Sequence, residues 1–253
     1  MKIGAQLYTV REFTQNEKDF EDTVKKIADI GYEGVQVSAV GPISAEKIAD
    51  ICKCHKLEIA STHIPPARIL NDTCSVIAEH KLYETKQIGI GIMPSEYQKS
   101  TEDVIRFIED FKPAAKSIKD AGMCFAYHNH DFEFEKYGGK LILEHILDGF
   151  SENELQIILD LYWVQAGGAD PVFWIKKLAG RLTLIHFKDM AIVNRERRFA
   201  EVGSGNLNWS AIIDACKEVG VKWAMVEQDD SYGKDPFNCL QESYKFLAKH
   251  LLH

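Results

Sequence analysis

The chain has 253 residues, 45% hydrophobic and 27% charged, and its 30 Lys and Arg against 38 Asp and Glu give a formal charge of −8. This composition predicts a globular protein with a sizeable core, and no apolar run approaches the roughly 20 residues of a membrane span. The acidic balance argues against binding a phosphate backbone, which needs clustered Lys and Arg, so we expect no nucleic-acid or membrane partner.

Short runs rich in β-branched and apolar residues alternate along the chain with amphipathic segments of helical spacing. The runs predict buried strands at Lys2–Tyr8, Gly34–Ser38, Leu57–His63, Gln87–Met93, Met123–His128, Leu155–Asp160, Leu182–Phe187 and Trp223–Glu227. The segments between them predict helices at Phe20–Ile30 (ending at Gly31), Ser44–Ile51, Ile69–Lys86, Val104–Ile118, Ile212–Val219 (ending at Gly220) and Phe237–Leu251.

Eight such units, each of about 32 residues, predict a single (β/α)8 barrel domain over residues 1–253. A doubly wound open sheet is the alternative. Its usual signal, a Gly-rich phosphate loop after the first strand, is replaced by LYTVREF at Leu7–Phe13.

The cysteines indicate a reducing compartment. Cys52, Cys54, Cys74, Cys124, Cys216 and Cys239 are scattered and form no CxxC pair. The N-terminal MKIGAQLYTVRE lacks the apolar stretch of a signal peptide. We therefore expect reduced thiols in a cytoplasmic protein.

Polar side chains stand at the ends of the predicted strands, where barrel enzymes carry their active-site groups. They are Gln6 and Tyr8 on strand one, Gln36 and Ser38 on strand two, His63 on strand three, the stretch Tyr127–Glu133 after strand five, Asp160 on strand six, His186 and Lys188 on strand seven, and Glu227 on strand eight. Converging on one mouth, the imidazole and carboxylate groups would form a site for Mn²⁺, Zn²⁺, Mg²⁺ or Co²⁺.

Each of these residues also has an ordinary interpretation. Asp160 can cap the following helix, and Glu227 can pair with a basic residue at the rim. Several unpaired carboxylates buried together would be costly, however, which favours a bound cation. The other histidines are interpreted as surface or structural groups: His55 at a helix end, His80 and His145 within helices, and His250 and His253 in the C-terminal tail.

Six segments give the chain a family resemblance. They are GAQLYTVRE at Gly4–Glu12, YHNHDFEF at Tyr127–Phe134, LDLYWVQAGGADP at Leu159–Pro171, HFKDM at His186–Met190, EVGSGNLNW at Glu201–Trp209 and VEQDD at Val226–Asp230. Over its whole length the chain resembles the xylose isomerase-like TIM barrels, or sugar phosphate isomerase/epimerase superfamily. That superfamily also includes inosose dehydratase, ketose 3-epimerases and endonuclease IV.

The resemblance implies a divalent metal held by a Glu, an Asp, a His and a second Glu from strands five to eight. Asp160, His186 and Glu227 match the last three positions. For the first we select Glu133, with His128 or His130 as alternatives. Trp163 stands where many members have a His, and it would form an aromatic wall for the sugar or simply pack.

The resemblance further implies a metal-dependent isomerase or epimerase acting on a carbohydrate by proton abstraction beside a polarised carbonyl. Glu227 would transfer a proton, with Glu133 or His130 opposite. The expected substrate contacts are Gln6, Tyr8, His63, His128, Trp163 and Lys188, of which Lys188 would bind a substrate oxygen or a phosphate.

The sequence is also compatible with three other functions. A lyase, such as a dehydratase or a 3-keto-glycoside-cleaving enzyme, would begin with the same proton abstraction. An endonuclease IV-like enzyme would need more metal ligands and a basic face, and a non-catalytic sugar-binding barrel would need no metal. The sequence leaves the oligomeric state open, a homo-oligomer included.

Overall fold

The computed structural model describes residues 1–251, and eight parallel strands in it close into a barrel. The strands are β1 (Lys2–Gln6), β2 (Gly34–Val37), β3 (Glu58–His63), β4 (Gln87–Ile90), β5 (Cys124–His128), β6 (Leu155–Asp160), β7 (Leu184–Phe187) and β8 (Trp223–Val226). Each strand pairs with its neighbours in the sequence, and β8 pairs with β1 to complete the ring. The prediction of a (β/α)8 barrel is therefore confirmed.

Ten α-helices accompany these strands within the described residues. They are α1 (Glu17–Ile30), α2 (Ala45–Cys54), α3 (Pro66–Asn71), α4 (Thr73–Leu82), α5 (Thr101–Asp120), α6 (Ile142–Gly149), α7 (Leu161–Ala166), α8 (Pro171–Lys177), α9 (Trp209–Val219) and α10 (Pro236–Leu251). Gly31 and Gly220 end α1 and α9 in the left-handed conformation (φ of 116° and 77°), as their sequence positions predict.

The prediction of one helix over Ile69–Lys86 is wrong, because the chain forms two helices there. Asp72 separates them with a non-helical backbone (φ −144°, ψ 37°). Its carboxylate contacts Arg68 at 3.5 Å, and the Thr73 hydroxyl donates to the carbonyl of Ile69. Short polar side chains compete with the helical hydrogen-bond pattern in this way, which is why they favour helix ends.

Strand ends differ from their predicted positions where local turns begin. β1 stops at Gln6, and Leu7–Phe13 forms a 3-10 helix that opens with the Gln6 side chain accepting from the backbone N–H of Tyr8. After β7 the chain builds an antiparallel hairpin from Asp189–Val193 and Glu196–Ala200. A second, shorter hairpin pairs Lys136–Tyr137 with Lys140–Leu141.

The barrel interior is layered, because alternate residues of a strand point to the same side. A lower layer is fully buried and apolar: Ala126, Ile158, Leu184 and Met225. Two residues further along each of the same strands stand His128, Asp160, His186 and Glu227. Two residues along each strand therefore separate the apolar layer of the core from the polar layer at the barrel mouth.

His80 is a structural residue, as predicted. It is fully buried in α4, where its Nδ1 lies 2.7 Å from the carbonyl of Val76 and its Nε2 lies 2.7 Å from the Thr62 hydroxyl. The carbonyl can only accept, so Nδ1 carries the proton and Nε2 accepts from Thr62. Burial lowers the pKa of His80 to about 4, so this imidazole is neutral at neutral pH.

All six cysteines are free thiols, as predicted. His55 lies at the end of α2, as its position predicts, while His253 lies outside the described residues. Among residues 1–251, no helix has both the length and the apolar character that crossing a bilayer requires.

Candidate metal centre at the barrel mouth

Four buried side chains converge at the carboxyl ends of β5 to β8. They are His128, Asp160, His186 and Glu227, and one ligand atom from each lies within 4.8 Å of all the others. His128 Nε2 is 3.3 Å from Asp160 Oδ2, and His186 Nδ1 is 3.6 Å from the same oxygen and 2.9 Å from Glu227 Oε2. Three of the four residues predicted to bind the metal therefore meet here.

The hydrogen bonds of the two imidazoles turn their inner nitrogens toward the carboxylates. His128 Nδ1 donates to the carbonyl of Gly91 at 2.9 Å, and His186 Nε2 donates to the Gln36 side-chain carbonyl at 2.7 Å. Metal-binding histidines commonly hold their outer N–H in this way, because it orients the ring and fixes its tautomer.

The donor chemistry fits a divalent ion. Burial lowers the pKa of His128, so its Nε2 is unprotonated and faces the Asp160 carboxylate with no hydrogen between them. Two acceptors at this distance are favoured by a nearby positive charge, which a divalent ion or the Lys188 ammonium, 3.3 Å from the same Asp160 oxygen, can supply. Two imidazole nitrogens and two carboxylates form a set that suits Zn²⁺, Mn²⁺ or Co²⁺.

Asp160 has two functions in the structure. Its Oδ1 accepts from the backbone N–H of Trp163 and caps α7, while its Oδ2 faces the imidazoles. The helix cap therefore holds the carboxylate in the orientation that the site uses. The capping interpretation and the ligand interpretation of this residue are compatible.

The Lys188 ammonium provides positive charge within the same site. It is almost fully buried and lies 3.3 Å from Asp160, 3.1 Å from Glu227 and 2.6 Å from Asp229. The rings of Trp163 and Phe199 flank it at 5.3 and 5.1 Å. The sequence predicts that Lys188 binds a substrate oxygen or a phosphate, and in the structure its ammonium contacts three carboxylates.

These contacts set the ionisation of the site. Burial opposes charge on Glu227, but the nearby Lys188 and His186 outweigh it and hold the pKa of the carboxyl below its ordinary range. Burial likewise opposes charge on His186, yet Glu227 and Asp160 raise its pKa to about 9. Burial and the Glu227 charge raise the pKa of Asp229 to about 6.

A cavity of about 390 Å³ opens above the four residues. Its wall combines polar groups with an apolar side, and it includes Tyr8, Ser38, His63, Ile64, Pro65, Pro66, Ile92, His128, His130, Lys188, Glu227 and Asp229. A concave site of this size, with convergent polar groups and one apolar wall, is typical of small-molecule binding.

His63 offers a hydrogen-bond donor to this cavity. Gln6 uses its side-chain oxygen for the N–H of Tyr8, so its amide nitrogen donates to His63 Nδ1 at 3.3 Å. Burial keeps the pKa of His63 well below its ordinary value, so the ring is neutral with its proton on Nε2. That buried Nε2–H has no protein partner within the described residues.

Glu133 lies outside the group of four. It is fully buried in a 3-10 turn, Phe132–Phe134, where one oxygen accepts from the Tyr127 hydroxyl at 2.6 Å and the other from the backbone N–H of His130 at 2.7 Å. The structure therefore places this carboxylate behind His130, while His128 stands with the donors. His130 lines the cavity, and its ring lies 5.2 Å from that of Trp163.

Three residues of the mouth were not among the predicted site residues. Asp229 follows Glu227 by two positions, so strand alternation could have placed it on the same side. The sequence places Gln36 at a strand end without indicating a function, and in the structure it orients His186. Asp189 belongs to the HFKDM segment, and in the structure it organises the loop after β7.

The fold has many solved counterparts. A sugar phosphate isomerase/epimerase from Parabacteroides distasonis ATCC 8503 superposes with a TM-score of 0.82 at 21% identity, covering 98% of both chains. An L-ribulose 3-epimerase gives 0.77 at 17% identity over 99% of this chain and 94% of that one. A probable 3-DHS dehydratase from Bacillus anthracis gives 0.73 at 15% identity, over 98% and 99%.

Identities this low establish the shared fold alone. A sequence search among curated proteins finds no match. The family model described as xylose isomerase-like TIM barrel matches residues 24–250, which is most of the chain. The chain therefore belongs to the xylose isomerase-like TIM barrel family.

Proposed function

We propose that the protein is a divalent-metal-dependent isomerase or epimerase of a sugar or keto-sugar. The observation that carries this proposal is the convergence of His128, Asp160, His186 and Glu227 beneath a cavity. Structural neighbours described as a sugar phosphate isomerase/epimerase and an L-ribulose 3-epimerase agree with it. In this proposal His128 is the fourth metal-binding residue, and Glu133 supports His130.

A bound divalent ion would act as a Lewis acid on the substrate oxygens beside the C–H bond that breaks. The protein's own groups can then be assigned by their contacts. The His63 Nε2–H is proposed to donate to a substrate oxygen, because His63 lines the cavity and this buried N–H has no protein partner within the described residues. The apolar wall formed by Ile64, Pro65 and Ile92 would exclude water from one side of the sugar.

Glu227 is the proposed proton acceptor. Its contacts with His186 and Lys188 all use Oε2, which leaves Oε1 for substrate. The lowered pKa keeps this carboxylate ionised and therefore in the basic form at neutral pH. His130 and Asp229, which also line the cavity, are the proposed groups for returning the proton, and Asp229 has the pKa nearer to neutrality.

Metal analysis and solvent exchange test this proposal together. The purified protein is loaded with Mn²⁺, Zn²⁺, Mg²⁺ or Co²⁺ and incubated in D₂O with keto-sugars, inososes and 3-keto-glycosides. NMR then follows deuterium incorporation. We expect near-stoichiometric metal and exchange at one carbon beside a carbonyl. The Glu227→Gln variant should lose exchange, and Glu201→Gln, a buried carboxylate outside the site, should retain it.

The products separate the enzyme classes. An intact carbon skeleton with altered configuration or carbonyl position supports an isomerase or epimerase. Loss of water or of a glycosidic leaving group would instead indicate a lyase, whose reaction begins with the same proton abstraction. Neither metal binding nor exchange would contradict the proposal and favour a non-catalytic sugar-binding barrel.

A further inference from the structure

The loop after β7 wraps its backbone around a carboxylate of the protein itself. Asp189 is fully buried, and its Oδ2 accepts from the backbone N–H of Gly203 at 2.9 Å, the N–H of Gly205 at 3.0 Å and the indole of Trp209 at 2.6 Å. Its Oδ1 accepts from its neighbour Met190 at 2.8 Å and from Leu207 at 3.3 Å. Five N–H groups thus surround one carboxylate.

This loop occupies the position where barrel enzymes frequently bind phosphate. The phosphate site of such barrels is commonly built by the loops after strands seven and eight, and convergent backbone N–H groups form an anion-binding nest. Here the nest exists, but Asp189 fills it. A Cβ on Gly205 would lie only 2.4 Å from Asp189 Oδ1, so the backbone closes tightly on the carboxylate.

The loop after β8 adds negative charge to the same side of the mouth. It carries Asp229, Asp230 and Asp235 within a short stretch of sequence. Asp229 also lines the cavity beside Glu227. A phosphate dianion entering from this side would approach like charges, and such repulsion weakens binding.

Three basic groups near the mouth already contact protein oxygens. Lys188 contacts three carboxylates. The Arg11 guanidinium donates to the backbone carbonyls of Tyr8 and Asp229 at 2.8 and 3.1 Å, and Lys234 pairs with Glu201 at 2.8 Å. A phosphate group approaching any of these cations would share it with existing protein contacts.

From these contacts we infer that the substrate is an uncharged sugar, not a sugar phosphate. The inference rests on the proposed function and makes it more specific. Neutral polar groups remain available to hydroxyl and carbonyl oxygens in the cavity, notably the His63 Nε2–H, Ser38 and Tyr8. The nest that could have recognised a phosphate serves instead to hold the loop.

Matched pairs of substrates test the inference on the metal-loaded protein. Ketoses of five and six carbons are each compared with their terminal phosphate ester, and NMR measures deuterium incorporation from D₂O. We expect the uncharged member of the active pair to exchange at least about tenfold faster, which corresponds to about 1.4 kcal/mol of discrimination. A phosphate ester that exchanges as fast or faster would overturn the inference and leave the proposed function standing.

A second measurement needs no turnover, so it tests the observation behind the inference, the filled nest, independently of the proposed function. Thermal unfolding of the wild type is compared in inorganic phosphate and in sodium chloride of equal ionic strength. At low millimolar phosphate, where the general stabilising effect of this salt on folded proteins is small, we expect equal midpoints, because Asp189 occupies the nest. A wild-type midpoint several degrees higher in phosphate would contradict the inference.

The Asp189→Ser variant extends this measurement. It should unfold at a lower temperature than the wild type and recover part of the loss in phosphate, because the ion can enter the emptied nest. Loss without recovery would contradict the assignment of the nest as anion-binding. If the serine variant does not fold, Asp189→Asn, which keeps one acceptor oxygen, replaces it, and the wild-type measurement needs no variant.

Discussion

Replacing Lys188 by Met should reveal how the buried carboxylates are balanced. The change keeps a long apolar side chain between Trp163 and Phe199 but removes the ammonium that contacts Asp160, Glu227 and Asp229. At about 3 Å and an effective dielectric of about 20, one such pair attracts by ~5 kcal/mol, and desolvation offsets much of this. Removing one partner from a buried ion cluster costs about 3–5 kcal/mol.

Thermal unfolding in EDTA measures this cost. For a chain of this size each kcal/mol corresponds to about 2–4 °C, so the melting temperature of Lys188→Met should fall by roughly 10 °C. Added Mn²⁺ should raise the melting temperature of the variant more than that of the wild type, because the ion supplies the missing positive charge.

A matched control is Lys116→Met, which removes an ion pair with Asp120 whose two side chains are 70% and 60% exposed. An exposed pair contributes about 1 kcal/mol or less, so this variant should melt within a few degrees of the wild type. If Lys188→Met is as stable in EDTA as Lys116→Met, the reasoning about buried charge at the mouth is refuted.

Three further predictions concern the metal, the chemistry and the pH dependence of stability. His128→Ala should weaken Mn²⁺ binding at least tenfold in equilibrium dialysis, whereas Glu133→Gln should keep it near the wild-type value; the reverse order would make Glu133 the fourth ligand. Asp229→Asn, if Asp229 returns the proton, should still exchange deuterium but convert substrate at least tenfold more slowly; unchanged conversion would exclude that function. Burial lowers the pKa of His80 to about 4, below the free-imidazole value of about 6.5, so the unfolded state binds more protons between these values. Wild-type stability should therefore fall as pH decreases from 6.5 toward 4, by about 3 kcal/mol from this residue, and urea unfolding of His80→Gln should show a shallower decrease; an equal slope in both proteins would contradict the assignment.

Much of the fold and part of the site could be predicted because both depend on local patterns. Alternation along a strand places Asp160, His186 and Glu227 on the inner side, and parallel strands in a closed barrel bring their carboxyl ends together. The sequence alone could therefore place these three residues together at the barrel mouth. The same rule extended by two residues reaches Lys188 and Asp229, which stand higher at the mouth.

The choice between Glu133 and His128 depended on where β5 ends. His128 is the last residue of the strand and keeps the inward direction, while the chain then turns and carries Glu133 into a 3-10 turn behind His130. The turn is held by hydrogen bonds from the Tyr127 hydroxyl and the His130 backbone N–H to the Glu133 carboxylate, and the residue pattern does not show that this side chain will fold back on its own turn.

The environment of Asp189 could not be predicted for a similar reason. Apart from its neighbour Met190, its hydrogen-bond donors come from residues 14 to 20 positions later in the chain. A carboxylate in HFKDM gives no sign that a distant Gly-rich segment will close around it. Only the folded loop shows that its N–H groups bind a carboxylate of the protein itself and not an external anion.

Because the Asp189 carboxylate anchors the loop after β7, the hairpin in that loop is structurally independent of the barrel. Asp189 holds both ends of the segment that contains this hairpin. It is the first residue of the hairpin, and its carboxylate accepts from the backbone N–H groups of Gly203 and Gly205 at the far end. The tip at Asn194 and Arg195 has positive φ values, and neither residue contributes to that anchor. Extra residues could therefore be inserted at the tip with little strain on the barrel. The hairpin is a natural place to graft a peptide tag or a new recognition loop, leaving the four converging residues of the mouth where they are.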